Sequence, residues 1–268
     1  MQYLHEMSGW IAPGARGTQC GEGSRHNLCT TRPSSSSLRV PNLSSRSPIP
    51  DPRIAPLLGI DTHLPPVPED RLSEPALRAR FAAMQDWQPE LARDPRLFAE
   101  RPLRHAAVLV PLVARAKPTV LLTRRTDHLS SHSGQVAFPG GKVDEGDADA
   151  VAAALREAEE EVGLPASQVE VLGALPDYLT GSAFRVTPVV ALVRPGYTLQ
   201  LNPHEVADAF EVPLAFLMNP AHHRRHGLDW EGRWLEWIAM PYDDAGVERY
   251  IWGATAAMLR NLYRFLSA

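Results

Sequence analysis

Residues 138–149 read Phe-Pro-Gly-Gly-Lys-Val-Asp-Glu-Gly-Asp-Ala-Asp, and residues 155–164 read Leu-Arg-Glu-Ala-Glu-Glu-Glu-Val-Gly-Leu. Asp149 is placed to cap a helix that ends near Val162, and Gly163 suits a left-handed C-terminal cap. At about 100° per residue, Val151, Leu155, Ala158 and Val162 fall on one narrow apolar stripe, which predicts the inward face. Glu157, Glu160 and Glu161 share an arc of roughly 100° on the other side, while Glu159 points away. Three carboxylates gathered in this way repel one another and raise at least one pKa unless a cation sits among them. Hard oxygen donors suit Mg²⁺ or Mn²⁺, and Mg²⁺ is commonly held by one or two carboxylates, with water and substrate phosphate completing its shell. Arg156 precedes Glu160 by one helical turn and is in reach of its carboxylate. A solvated acidic helix face has the same composition. The glycine pair just upstream, which lets backbone approach a ligand closely, tips the reading toward a phosphate-handling site.

Outward from this segment, residues 106–113 and 119–123 read as strands joined by a hairpin or short loop, with a short apolar run at 135–138. Further strands are predicted around residues 169–174, 186–193 and 234–240. A closing helix from about Gly253 carries the stripe Met258, Leu259, Leu262, Phe265 and Leu266. Near the start, Ser73 is placed to cap a helix bearing Ala76, Leu77, Phe81 and Met84 that Pro89 stops. Strands and helices mixed without regular alternation predict an α+β domain. Residues 1–71 hold ten of the chain's 25 prolines and the tract Ser34 to Ser37, and read as a disordered Pro/Ser-rich tail or a start assigned too far upstream; the domain is expected over residues 72–268.

The 268-residue chain carries a formal net charge of −4 and 44% apolar residues, enough for a sizeable core. No apolar run approaches the roughly 18 residues of a membrane span. The slightly anionic balance lacks the field that gathers nucleic acid, so neither membrane nor nucleic acid is an expected partner. Cys20 and Cys29 are the two cysteines, too few for a disulfide framework. Glu6 stands where a signal peptide wants positive charge, and Pro13, Gly14 and Arg16 interrupt its apolar stretch, so a cytoplasmic protein is expected. There is no Gly-x-Ser-x-Gly elbow and no P-loop pattern.

The quoted segment resembles the signature of the Nudix hydrolases: Gly, five residues, Glu, seven residues, then Arg-Glu-apolar-x-Glu-Glu-x-Gly-apolar. Arg156, Glu157, Ala158, Glu160, Glu161, Gly163 and Leu164 match its second half. The first half departs, since Asp147 stands near the place of the glutamate and one residue too far from Arg156. The stretches Leu121-Leu-Thr-Arg-Arg125 and His132-Ser-Gly-Gln-Val-Ala-Phe-Pro-Gly-Gly141, with Phe184-Arg-Val-Thr-Pro188 and Ile251-Trp-Gly-Ala-Thr255, are similar to the coenzyme A pyrophosphatase branch. The resemblance implies a Nudix-type α/β/α sandwich with a mixed sheet. It further implies metal-dependent cleavage of coenzyme A or acyl-coenzyme A into 4′-phosphopantetheine, or its acyl form, and adenosine 3′,5′-bisphosphate. Glu157 and Glu161 are then expected as ligands of Mg²⁺ or Mn²⁺, with the Gly141 carbonyl as a third. Glu160 is a further ligand or the base, Arg156 fixes its orientation, and Arg124, Arg125 and His132 meet the substrate phosphates.

ADP-ribose or a dinucleotide is the alternative substrate, and a non-catalytic nucleotide-sensing module the alternative class. The expected partner is a small-molecule nucleotide, and the expected state a monomer or homodimer. Glu205 reads more readily as a helix-start residue than as a metal ligand, Trp252 as core that also suits a pocket wall, and His222, His223 and His226 as a mobile basic loop.

Overall fold

The computed structural model describes residues 51–83, 87–94, 102–127, 134–230 and 232–268. Twelve strands and four α-helices are described, and their residue ranges follow in chain order. They are β1 (Leu57–Ile60), α1 (Glu74–Ala82), β2 (Arg104–Val113), β3 (Thr119–Arg125), β4 (Val136–Ala137), β5 (Gly140–Lys142), α2 (Ala150–Val162), β6 (Val169–Ala174), β7 (Tyr178–Leu179), β8 (Phe184–Val193), β9 (Val206–Pro213), α3 (Leu214–Leu217), β10 (Arg224–Trp230), β11 (Arg233–Asp244), β12 (Val247–Trp252) and α4 (Gly253–Ser267). The α+β class and the mixed sheet are as expected.

The larger sheet runs β4-β3-β2-β8-β6, with β5 added to β2, β7 to β8 and β9 to β3. β2 and β8 pair in parallel over their full length, from Arg104 opposite Phe184 to Val113 opposite Val193. Both are almost continuously apolar because both faces of the sheet are covered. On one face Ala107, Leu109 and Val113 of β2 meet Ala153, Ala154, Ala158 and Val162 of α2. On the other, Ala106, Val110 and Leu112 join a larger cluster with Met258, Leu259 and Leu262 of α4. The period of two along β2 thus assigns its side chains to two separate cores. β3 meets β2 only at Val120 and Thr119, then diverges to pair with β9 and β4. The start of β2 pairs instead with β5. The glycine pair is therefore laid into the split between β2 and β3.

Four points differ from expectation. Residues 51–71 are not all tail: β1 is the edge strand of a second sheet, β1-β10-β11-β12, with Leu57 opposite His226. Ser73 does not cap α1, because its hydroxyl donates to the Asp70 carbonyl at 2.8 Å. The buried face of α2 is Ala153, Ala154, Ala158, Glu161 and Val162, with Val151 and Leu155 at its margin, so the face is rotated from the predicted stripe and includes a glutamate. The histidines are not in a mobile basic loop, since His223 and His226 are buried beside and within β10.

Candidate active site

Asp149 accepts a hydrogen bond from the Ala152 N–H at 2.8 Å and starts α2 as expected. At the other end Gly163 has φ 68°, its N–H donates to Glu159 and that of the buried Leu164 to Ala158, which closes the helix. Between these caps the alanines let α2 lie close to the sheet, and its acidic side comes up to β5. Gly140 has φ 155°, and a Cβ there would run into the Ala107 carbonyl and the Val108 backbone. A Cβ on Gly141 would run into the Glu157 carboxyl, so the missing side chain is the space that carboxyl uses.

Glu161 is 3% exposed. One oxygen accepts the Gly140 N–H at 3.2 Å, and the other lies 3.6 Å from the Arg125 guanidinium. Burial pushes its carboxyl up to about 7, opposed by the Gly140 N–H and Arg125 and aided by the charges of Glu205 and Glu157. Glu157 is also pushed up, by burial first, although Arg156 draws it down. Glu160 is different. Its side chain is 58% exposed and paired with Arg156 at 3.1 Å, so the three carboxylates expected to converge divide into an inner pair and one at the rim.

Arg156 also contacts Glu157 at 3.0 Å, the Lys142 carbonyl at 3.2 Å and both oxygens of Asp147 at 2.9 and 3.0 Å. Asp147 is held by the Asp144 N–H at 2.8 Å, and its carboxyl is drawn down to about 2, by Arg156 first and that N–H second. The departure from the signature thus has a geometric meaning. An aspartate is one methylene shorter than glutamate, the loop is one residue longer, and the carboxylate still reaches the same arginine in bidentate fashion.

Glu205 joins the site from a distant loop. Asn202 N–H donates to the Glu161 carbonyl at 2.9 Å, Gln200 N–H to that of Val162 at 2.9 Å, and Thr126 N–H to the Glu205 carbonyl at 3.0 Å. These bonds tie the loop to the end of α2 and bring the Glu205 charge to bear on Glu157 and Glu161. In the sequence only its place in the loop after the strand at 186–193 pointed to it; it precedes β9 and begins no helix. Arg124 lies beside Arg125 but turns to Asp127 at 3.4 Å. A bulge in β9, where Arg124 faces Asp208 and Arg125 faces Val206, separates the two arginines. His132 lies outside the described residues.

Among the described residues no three His, Cys, Asp or Glu side chains form a ready-made metal site. Glu157 and Glu161, with the charge of Glu205 acting on both, nevertheless suit a hard divalent ion, since their donors are oxygens and Glu161 is a buried acid short of positive charge. A site of this kind is completed by water and phosphate rather than by protein alone.

The NUDIX domain profile matches residues 103–237. The protein named "Uncharacterized Nudix hydrolase NudL" of Yersinia enterocolitica is 47% identical over 163 residues, 59% of this chain and 79% of the relative. Its namesake in Escherichia coli K12 is 46% identical over 165 residues, 59% of this chain and 81% of the relative. A crystal structure of a Caenorhabditis elegans Ap4A hydrolase binary complex aligns at 25% identity and a TM-score of 0.36, over 41% of this chain and 80% of that one. With half of its length matched by the domain profile and most of each bacterial relative covered, the chain belongs to the Nudix hydrolase family.

Proposed function

We propose that the protein hydrolyses the pyrophosphate of coenzyme A or its thioesters, releasing 4′-phosphopantetheine or its acyl form and adenosine 3′,5′-bisphosphate. The observation that carries the hydrolytic reading is the buried Glu161, paired with Glu157 against Gly140 and Gly141 and only weakly compensated by Arg125. The coenzyme A assignment is supported by the segments 121–125 and 132–141, which go beyond the general signature.

Glu157 and Glu161, with the Gly141 carbonyl, would hold Mg²⁺ or Mn²⁺, which when bound draws charge from the phosphate oxygens and eases ionisation of water. Arg125 is placed to exchange its contact with Glu161 for one with a phosphate oxygen. Arg124, one residue away, is turned to Asp127 instead. Arg156, fixed by Asp147, holds Glu157 and Glu160 in place. Glu160 at the rim and Glu205 across the inner pair are the carboxylates left to take the proton of the attacking water. The nucleophile's oxygen joins phosphorus, the bridging oxygen leaves with the other phosphate, and the proton passes to carboxylate and then to solvent.

Incubation of the purified protein with coenzyme A and Mg²⁺, followed by mass analysis of the products, tests this directly. The two named products are expected. Preferred turnover of ADP-ribose assigns the other substrate, and no turnover of any nucleoside diphosphate derivative favours a sensing module.

A further inference from the structure

On the α4 side of the molecule, the start of that helix, the middle of β11, β7 and residues 91–94 enclose a cavity of about 240 Å³. Trp237, Trp252, Tyr178, Leu235, Ile238 and Ala257 supply half of its lining residues. The rings of Trp237 and Trp252 meet at 65° with centroids 6.1 Å apart, and Trp237 is already stacked on His226 at 16°. Two walls at that angle make a corner, whereas a nucleobase stacks best in a parallel slot. Most of the charged lining is engaged elsewhere as well, with Arg93 exposed. Arg225 binds Asp61 at 2.8 Å and Glu90 at 3.0 Å, and Asp94 keeps a partner. Little remains to read the edge of a base, while an aliphatic chain can follow an apolar corner by rotating about its single bonds.

The cavity borders the segment that leads to the site. Trp252 ends β12, which packs beside β4, and the Thr255 hydroxyl donates to the Val136 carbonyl at 3.0 Å. From Val136 the chain reaches Gly140 in four steps, at most about 14 Å when extended. We infer that the cavity takes the acyl end of a coenzyme A thioester whose pyrophosphate lies at Glu157 and Glu161. This rests on the coenzyme A reading above. At roughly 30 Å³ for a water-sized unit, it has room for about eight methylene-sized groups.

The test is kcat/KM for a series of thioesters from acetyl to dodecanoyl, with Mg²⁺ and the full chain. A rise of about fourfold per added methylene is expected up to about eight carbons, then a plateau. Ala257→Leu, which occupies part of the space, is expected to bring the plateau forward by two or more carbons. Leu91→Ala, at the half-buried rim, is expected to lower the slope if the first variant fails to fold. Hydrolysis of coenzyme A with no dependence on chain length, or with the same dependence in the variants, overturns the acyl cavity and leaves the substrate reading intact. Turnover of ADP-ribose with none of any coenzyme A species overturns both.

Discussion

Glu161 carries a cost that ordinary packing does not explain. At 3% exposure it has one backbone donor and a guanidinium 3.6 Å away, with the charges of Glu157 and Glu205 acting on it. In the Glu161→Gln variant the amide oxygen still accepts from Gly140, but the buried charge is gone. At pH 8 without metal, the variant is expected to be more stable by about 1–3 kcal/mol, or roughly 2–10 °C in Tm, while turnover falls at least about 100-fold. An unchanged or lower Tm means the carboxylate is already fully compensated. Asp147 acts one step removed, through Arg156. For Asp147→Asn, metal affinity measured by titration is expected to weaken about 10–100-fold with the circular dichroism spectrum preserved. Equal affinity in variant and parent means that Arg156 keeps its place without that charge.

At the level of elements, the site depends on a helix end and on a divided strand. The Gly163 turn closes α2 and leads toward the loop that carries Glu205. Its φ of 68° strains any other residue, and a Cβ there would lie 2.8 Å from that of Gln200. Gly163→Ala is therefore expected to cost at least about 1 kcal/mol and to lower kcat, because Gln200 and Asn202 anchor the Glu205 loop to that turn. Thermal melts and steady-state kinetics on the same preparation check it, and a lower Tm with unaltered kcat separates Glu205 from the reaction. β2 serves two partners, β3 at one end and β5 at the other, and this division creates the opening that receives the glycine pair.

Over the whole molecule, a buried ionic network joins segments far apart in the chain. Arg260 of α4, with its side chain fully buried, reaches Asp61 at 3.0 Å, Glu90 at 2.7 Å and Nδ1 of His223 at 2.9 Å. Since Arg260 only donates, His223 is neutral and its Nε2–H donates to the Leu217 carbonyl at 2.8 Å. Burial, opposed by the Leu217 carbonyl and aided by Arg260, lowers His223 from 6.5 to about 4. Burial pushes Glu90 up, but hydrogen bonds from Arg260, Arg264 and Arg225 outweigh it and bring it from 4.5 to about 2. Both values lie below those of the unfolded chain, so both groups stabilise the fold at neutral pH. The His223 contribution is lost as pH falls from 6.5 toward 4, and that of Glu90 from 4.5 toward 2. Glu161, raised from 4.5 to about 7, works the other way and adds stability as pH falls from 7 toward 4.5, so the His223 loss is isolated in the Glu161→Gln variant. There Tm is expected to fall through both windows, and a further His223→Gln to remove the dependence in the upper one. A Tm of Glu161→Gln that stays level from pH 7 to 4 contradicts a neutral buried His223. Arg260→Met leaves Asp61 to Arg225 and Glu90 to Arg225 and Arg264, but takes one donor from each and from the buried His223, and is expected to cost about 1–3 kcal/mol, measured by urea unfolding.

The amino-acid sequence by itself determined α2, its two caps, the glycine pair, and the apolar runs of β2 and β8. Each follows from local rules of helical period, capping and apolar run length that need no knowledge of the rest of the chain. The order in which α2 presents its acids was not legible in that way. A helical wheel places Glu157, Glu160 and Glu161 together, but only the position of β5 decides that Glu161 is buried while Glu160 faces water. β10, reading Arg-Arg-His-Gly-Leu-Asp-Trp, looks like a polar loop and becomes a strand because β1 and β11 pair with its backbone on either side. Asp61 and Glu90 were unmarked and Glu205 read more readily as a helix start, since the burial and neighbouring charge that give them their roles come from residues distant in sequence. Tertiary structure decided those questions because desolvation and Coulomb energy depend on distance in space, which separation along the chain does not specify.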